Sequence, residues 1–181
     1  MLNLEKQALR EAANFLLERE EWESDGVFFH HIVCLPAKHV QGVKLHISVA
    51  DELDYVKTVK QLAIVMEQFH IAGKFLRPDF FHWFAPEGDE LQTGKFVTVY
   101  PCAGDVVGFL EELKRLGYMD KDVIPVKNDT HLCGAIYGRF GSFTDDYLVL
   151  KSGKTVKDDR SVKYSRDSLL DALEKMLLHY C

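Results

Sequence analysis

"GVKLHISVA", residues 42–50, reads as a strand on its own terms. Val43, Leu45, Ile47 and Val49 alternate strictly with Lys44, His46 and Ser48. A period of two predicts one face on a core and one face elsewhere. The second face carries a lysine and a histidine side by side, so the stretch poses a functional question together with a structural one.

The flanking sequence supplies the partners of that strand. Residues 3–21 read as an amphipathic helix with Leu4, Ala8, Leu9, Ala12, Phe15 and Leu16 inward. Residues 27–35 (VFFHHIVCL) read as a buried strand closed by Pro36. Asp51 is an N-cap candidate for a helix to about Phe69, with a stripe of Leu53, Val56, Val59, Ala63, Met66 and Phe69, and Gly73 just beyond it. "GKFLRP" (73–78) and "KFVTVYP" (95–101) are short strands stopped by prolines, and the aromatic residues 79–94 between them form a loop over something. Its Phe80–Phe84 cluster reads as a lid, a peptide groove or a core patch. Residues 104–116 are a helix with Val107, Leu110, Leu113 and Leu116 inward, ended by Gly117. "GAIYGRFGSF" (134–143) is a further strand, and "DYLVLKSGKTV" (146–156) a hairpin turning at Ser152–Gly153. "SRDSLLDALEKMLLHY" (165–180) is a capped C-terminal helix. Together these predict one α+β domain with a central, mainly antiparallel sheet and packed helices. Residues 1–26 are its N-terminal helical segment, 27–164 its main body, and 165–181 a helix packed on that body. No linker or repeat interrupts it.

Composition narrows the class. With 181 residues and 47% apolar content the chain can build one substantial core. A net charge of −6 speaks against a nucleic-acid surface. No apolar run approaches the roughly 20 residues of a membrane span, and the charged N-terminus is unlike a signal peptide. Cys34, Cys102, Cys133 and Cys181 are scattered, without zinc-like spacing, which fits reduced cysteines and a cytoplasmic location. Delivery into another cell's cytosol would look the same. His30, His31, His39, His70, His82, His131 and His179 show no metal-ligand spacing either, so no metal site is expected.

Cations recur on the strands: Lys44 and His46, then Lys74, Lys95 and Arg139. Lysine and arginine are depleted in strands and costly when buried alone, so their recurrence suggests a pocket awaiting an anion. An exposed, solvated sheet face is the plainer alternative.

The ordered series "KLHIS", "GKFLRP", "GKFVTVYP", "YGRFGSF" and "SGKTVKDDR" resembles the lyase domain that opens class III and class IV lanthipeptide synthetases. More distantly it is similar to the phosphothreonine lyases OspF and SpvC, effectors that inactivate host kinases. The resemblance covers about residues 42–160, and "GKFVTVYP" is its most specific segment. It implies β-elimination of phosphate from phosphoserine or phosphothreonine, leaving a dehydroamino acid, with no metal or organic cofactor. Carried over by motif, Lys74 is the general base and His46 the general acid. Lys44, Arg139, Lys95 and Tyr100 bind phosphate. Alternation puts Lys95 and Tyr100 on opposite faces of a regular strand. A bulge or strand end before Pro101 would admit both; otherwise one is structural, and Tyr100 is the favoured site residue.

One departure stands out. Where the family carries an arginine ahead of "GKF", this chain has Glu90. A carboxylate there would repel phosphate, so Lys95 or Arg77 compensates, or binding weakens, or the protein does something else. Asp129 occupies a position where the family often has an aspartate, and the sequence assigns it no role. The implied partner is a phosphorylated peptide or protein, with a separate kinase and cyclase if the setting is lanthipeptide maturation. The rival settings are a secreted effector, a non-catalytic phosphopeptide-binding module of the same fold, and a plain scaffold. The C-terminal helix favours a natural end over an excised synthetase domain.

Overall fold

A computed structural model describes residues 2–31, 41–101, 104–143 and 147–180. Helix α1 (Leu2–Leu17) leads into strands β1 (Trp22–Ser24) and β2 (Phe28–His31), followed by β3 (Gln41–Ile47), α2 (Glu52–Gln68) and β4 (Ala72–Leu76). A 3-10 turn at Pro78–Phe80 and the short α3 (Phe81–Phe84) precede β5 (Val97–Tyr100) and α4 (Val106–Arg115). Strands β6 (Thr130–Cys133), β7 (Ile136–Ser142), β8 (Tyr147–Val149) and β9 (Thr155–Lys157) and helix α5 (Arg166–Tyr180) follow.

Seven strands form one sheet in the order β1-β2-β4-β5-β3-β7-β6, every neighbour antiparallel. Strands β8 and β9 pair only with each other in a small second sheet. The architecture is the α+β domain expected, with β3 between β5 and β7 near one end of the order.

The alternation in β3 sets the two faces. Leu45 lies opposite Val99 and Gly138, while His46 lies opposite Thr98 and Tyr137. Val43, Leu45, Ile47, Phe75, Val97 and Val99 are buried in the core, on the face covered by the helices. Met66 of α2 and Leu169 of α5 reach that face at Gly73 and Gly138. Gly73 has no room for a side chain, because a Cβ would lie 2.4 Å from the Thr98 carbonyl oxygen and 2.5 Å from Met66 Cε. It is therefore a packing glycine inside β4 rather than the end signal of α2. The helix instead ends at Phe69, and His70 makes the left-handed turn at φ 53°.

Local signals explain most element ends. Asp51 caps α2 by accepting from the Asp54 N–H at 2.8 Å, and Glu52 and Asp54 complement the helix dipole. Asp105 does the same for α4, and Gly117 ends it at φ 83°. Gly153, at φ 81°, turns the β8–β9 hairpin where expected.

Several periodicity readings needed correction. Leu53 of α2 is 60% exposed and Val107 of α4 is 48% exposed; the expected Val59, Ala63, Met66 and Leu113 are buried, and the stripes are completed by Tyr55, Leu62 and Val65, and by Val106 and Phe109. Helix α1 stops at Leu17, short of residue 21, and β1 and β6 are additional strands. Both are short, and β1 lacks the alternation that marks β3. The expected strand at 27–35 is β2 as far as His31; its remainder, Pro36, His39, Cys34, Cys102 and Cys181 lie outside the described residues. Among the described residues no helix is long and apolar enough to cross a membrane.

Candidate active site

The polar face of the sheet is not solvated. It forms the floor of a cavity of about 230 Å³. That is below the roughly 300–1,000 Å³ of clefts that enclose a whole small molecule, and suits one side chain presented by a longer chain. Lys44, His46, Lys74, Lys95, Arg139 and Arg160 line it with Thr98, Tyr100, Gln92 and Ser142, and among the described residues no carboxylate does. Phe28, Phe84 and Phe143 supply apolar walls.

Strand register explains the arrangement. Thr98 of β5 faces His46 of β3 on one side and Lys74 of β4 on the other. Lys74 and His46 thus occupy the same row, separated by one strand, about 10 Å apart along the hydrogen-bonding direction. In the next row Lys44 faces Arg139 across β3 and β7. Four segments far apart in sequence meet here because antiparallel pairing aligns them.

Lys95 and Tyr100 both line the cavity, which removes the conflict over their faces. The regular strand begins only at Val97, so alternation links Thr98 with Tyr100 and does not extend back to Lys95. Lys95 enters from the preceding turn, where its Nζ donates to the Leu91 carbonyl at 2.7 Å. Tyr100 packs against Phe143 at a ring separation of 4.9 Å.

His46 is almost wholly buried, and its Nδ1 is hydrogen-bonded to Asp129 Oδ2. That carboxylate holds the proton on Nδ1 and leaves Nε2 as the nitrogen available to the cavity. Asp129 Oδ1 lies 3.4 Å from Lys95 Nζ. Asp129 therefore orients the histidine and one cation together, a role that its place in the sequence did not disclose. Burial, with Lys95 and Lys44 adding to it, pushes His46 down to about 4 against the pull of Asp129. The neighbouring imidazole and Lys95 outweigh burial at Asp129 and hold it near 2.

The lysines are similarly tuned. Burial lowers Lys74 to about 8, assisted by Arg160 and opposed by Asp25. Burial also lowers Lys44 to about 8, with Arg139 the largest cationic contributor. Lys74 Nζ sits 3.7 Å from the Phe28 ring centroid, so an apolar wall replaces water on one side.

Arg139 is 3% exposed and donates from Nη2 to Asp158 Oδ1 at 2.6 Å. Its Nε is buried with no hydrogen-bond partner among the described residues. A buried donor left open beside several cations is a place for an anion's oxygen. Asp158 also accepts from the Ser142 N–H, at 3.2 Å. Gly141 makes room for it, since a Cβ there would lie 2.7 Å from Asp158 Oδ2.

Glu90 corrects an expectation. It lies outside the cavity, exposed, and pairs with Lys127 at 3.1 Å. Arg77, considered as a substitute cation, pairs with Asp79 at 2.7 Å and does not line the cavity. The additional cation is Arg160. It lies in the quoted segment "SGKTVKDDR", which was the one signal for it.

The fold, the cation-lined cavity and these strand segments fall within a family match over residues 10–166, to a model described as the RamC N-terminal domain. The chain belongs to the RamC N-terminal domain family. The match begins within α1, so this lanthipeptide-associated family takes in the N-terminal helix that the motif series alone did not reach. Among curated proteins, none matches the chain.

Several of the other histidines have local partners. His31 is buried between the Ile71 carbonyl at 2.7 Å and Glu21 at 2.9 Å, and His30 pairs with Asp25 at 2.8 Å. Among the described residues no cluster of three histidine, cysteine or carboxylate side chains could hold a metal.

Proposed function

We propose that this RamC-family domain is a phosphoserine/phosphothreonine lyase acting on a phosphorylated polypeptide, in lanthipeptide-type maturation. The observation that carries the reading is the row Lys74–Thr98–His46 across the floor of a cation-lined cavity. Binding phosphate needs only the cations. A lysine lowered toward neutrality and an aspartate-oriented histidine, set apart by one strand, suit proton removal and proton delivery at two different atoms.

In the proposed reaction Arg139, Lys44 and Arg160 hold the phosphate, with Lys95 beside them. Neutral Lys74 takes the proton from Cα. The electrons of that bond form the Cα–Cβ double bond as the Cβ–Oγ bond breaks. His46 Nε2 gives its proton to the departing oxygen, and inorganic phosphate leaves. Atoms balance without water or an oxidant. Burial lowers His46 to about 4, which favours the neutral imidazole at pH 7. A phosphate dianion supplies the charge that favours imidazolium, so substrate binding itself would charge the acid.

The non-catalytic alternative rested on Glu90, whose position outside the cavity withdraws that support. Mass spectrometry of phosphothreonine and phosphoserine peptides incubated with the protein separates the readings. A product that has lost the elements of phosphoric acid supports elimination. A product that keeps its hydroxyl would be hydrolysis and would overturn the mechanism. Peptides that bind unchanged would favour the binding module.

A further inference from the structure

We infer that the outer edge of β9, from Lys154 to Lys157, is a docking strand for an extended acidic segment of the peptide substrate, which adds to the hairpin as a third strand. The inference rests on the proposed function for the identity of that peptide.

The hairpin has two edges, and among the described residues only the β8 edge is occupied. The Leu150 N–H donates to the Lys154 carbonyl at 2.9 Å, which places the Leu148–Val156 pair in register as the next hydrogen-bonded pair. Val149 and Thr155 therefore turn their main-chain groups outward. On β8 the Gln41 side chain occupies that edge, donating to the Val149 carbonyl at 2.8 Å and accepting its N–H at 2.7 Å. Among the described residues no strand or side chain does the same for Thr155 or Lys157 on β9. A lone two-stranded hairpin is marginal in water, and an open edge accepts a further strand.

Charge and continuity name the occupant. Lys151, Lys154, Lys157, Arg160 and Lys163 fall within one short stretch of a chain whose net charge is −6. Of the two aspartates among them, Asp158 is buried on Arg139, while Asp159 is held by Ser161. None of the four lysines forms a salt bridge among the described residues. A wider depression bounded by Leu91, Lys157, Asp159 and Arg160 adjoins β9 and shares Arg160 with the candidate active site. A peptide paired along β9 thus runs toward the cavity that takes its phosphorylated residue. Main-chain pairing supplies affinity for many sequences, and the lysines select carboxylates.

The test uses labelled, unphosphorylated peptides whose flanking segment is rich in Glu and Asp, or carries Gln and Asn instead, with binding followed by fluorescence anisotropy. The wild type should prefer the acidic peptide. Thr155→Pro removes an outward N–H without touching the β8 ladder, and Lys154→Glu with Lys157→Glu reverses exposed charge without altering the backbone. Each should weaken acidic-peptide binding about tenfold. No preference for acidic over neutral peptide, or undiminished binding by the lysine variant, overturns the inference. Loss in the lysine variant with retention in Thr155→Pro overturns strand addition. The peptides carry no phosphate, so failure of elimination in the mass measurement leaves this result standing, and the reverse.

Discussion

At the residue scale the candidate site is a matter of protonation. Lys74 at about 8 and His46 at about 4 are ordered against their proposed roles, since the base would be charged and the acid neutral at pH 7. Phosphate binding corrects the acid, and acidification penalises the base. Turnover should therefore fall as pH drops below about 8, read from the pH profile of elimination. Lys74→Ala should abolish elimination while phosphopeptide binding stays measurable by calorimetry; equal loss of both would make Lys74 a phosphate ligand. Asp129→Asn should present an amide N–H to Nδ1 and hold the wrong tautomer. We expect turnover about a hundredfold lower with little change in KM. Proton uptake on phosphopeptide binding at pH 7 should shrink as well, because the carboxylate that favours imidazolium is gone. Calorimetry in buffers of different ionisation enthalpy reads that uptake.

At the element scale the hairpin connection is a latch on the proposed phosphate pocket. Asp158, just past β9, fixes the Arg139 guanidinium and reaches it over the bare Gly141 of β7. Gly141→Ala places a methyl group against that carboxylate and should displace it. The expected result is phosphopeptide affinity lower by about tenfold, the loss of one well-aligned charge-assisted contact. The Tm should change less than for a core truncation. An unchanged affinity, measured by calorimetry, would mean that Asp158 moves aside without releasing Arg139. The register of β3, β4, β5 and β7 contributes the rest of the site, and those strands are also where the core is densest.

On the scale of the whole molecule, the polar face works because the opposite face is held by helices. Helix α1 belongs to that body: Ala12 and Leu16 are fully buried in the same core as α2 and the sheet. Arg19 and Trp22 both reach Glu67 of α2, at the junction between α1 and β1. Leu16→Ala should therefore destabilise the entire domain by about 2–5 kcal/mol. That is a large part of the roughly 5–15 kcal/mol of a typical domain. Thermal or urea unfolding should show one cooperative transition at a lower midpoint; a separate early transition of the N-terminal helix would contradict a shared core.

The chain's own order of residues determined the alternation of β3, the caps at Asp51 and Asp105, the stops at Gly117 and Gly153, and the types of most long elements. Each rests on contacts within a few residues, so sequence suffices to specify it. The cation series also pointed to an anion pocket containing Lys44, His46, Lys74, Lys95 and Arg139, to which the family resemblance added Tyr100. Only tertiary structure decided the roles of Asp129 and Asp158, the entry of Arg160, the exclusion of Glu90 and Arg77, and the buried stripes of α2 and α4. These depend on which strands become neighbours and which helix face meets the sheet. His46 and Asp129 are 83 positions apart, and only pairing of β3 with β7, and of β7 with β6, brings them into contact. A residue's spacing along the chain carries no record of that pairing, which is set by the burial of one apolar sheet face as a whole.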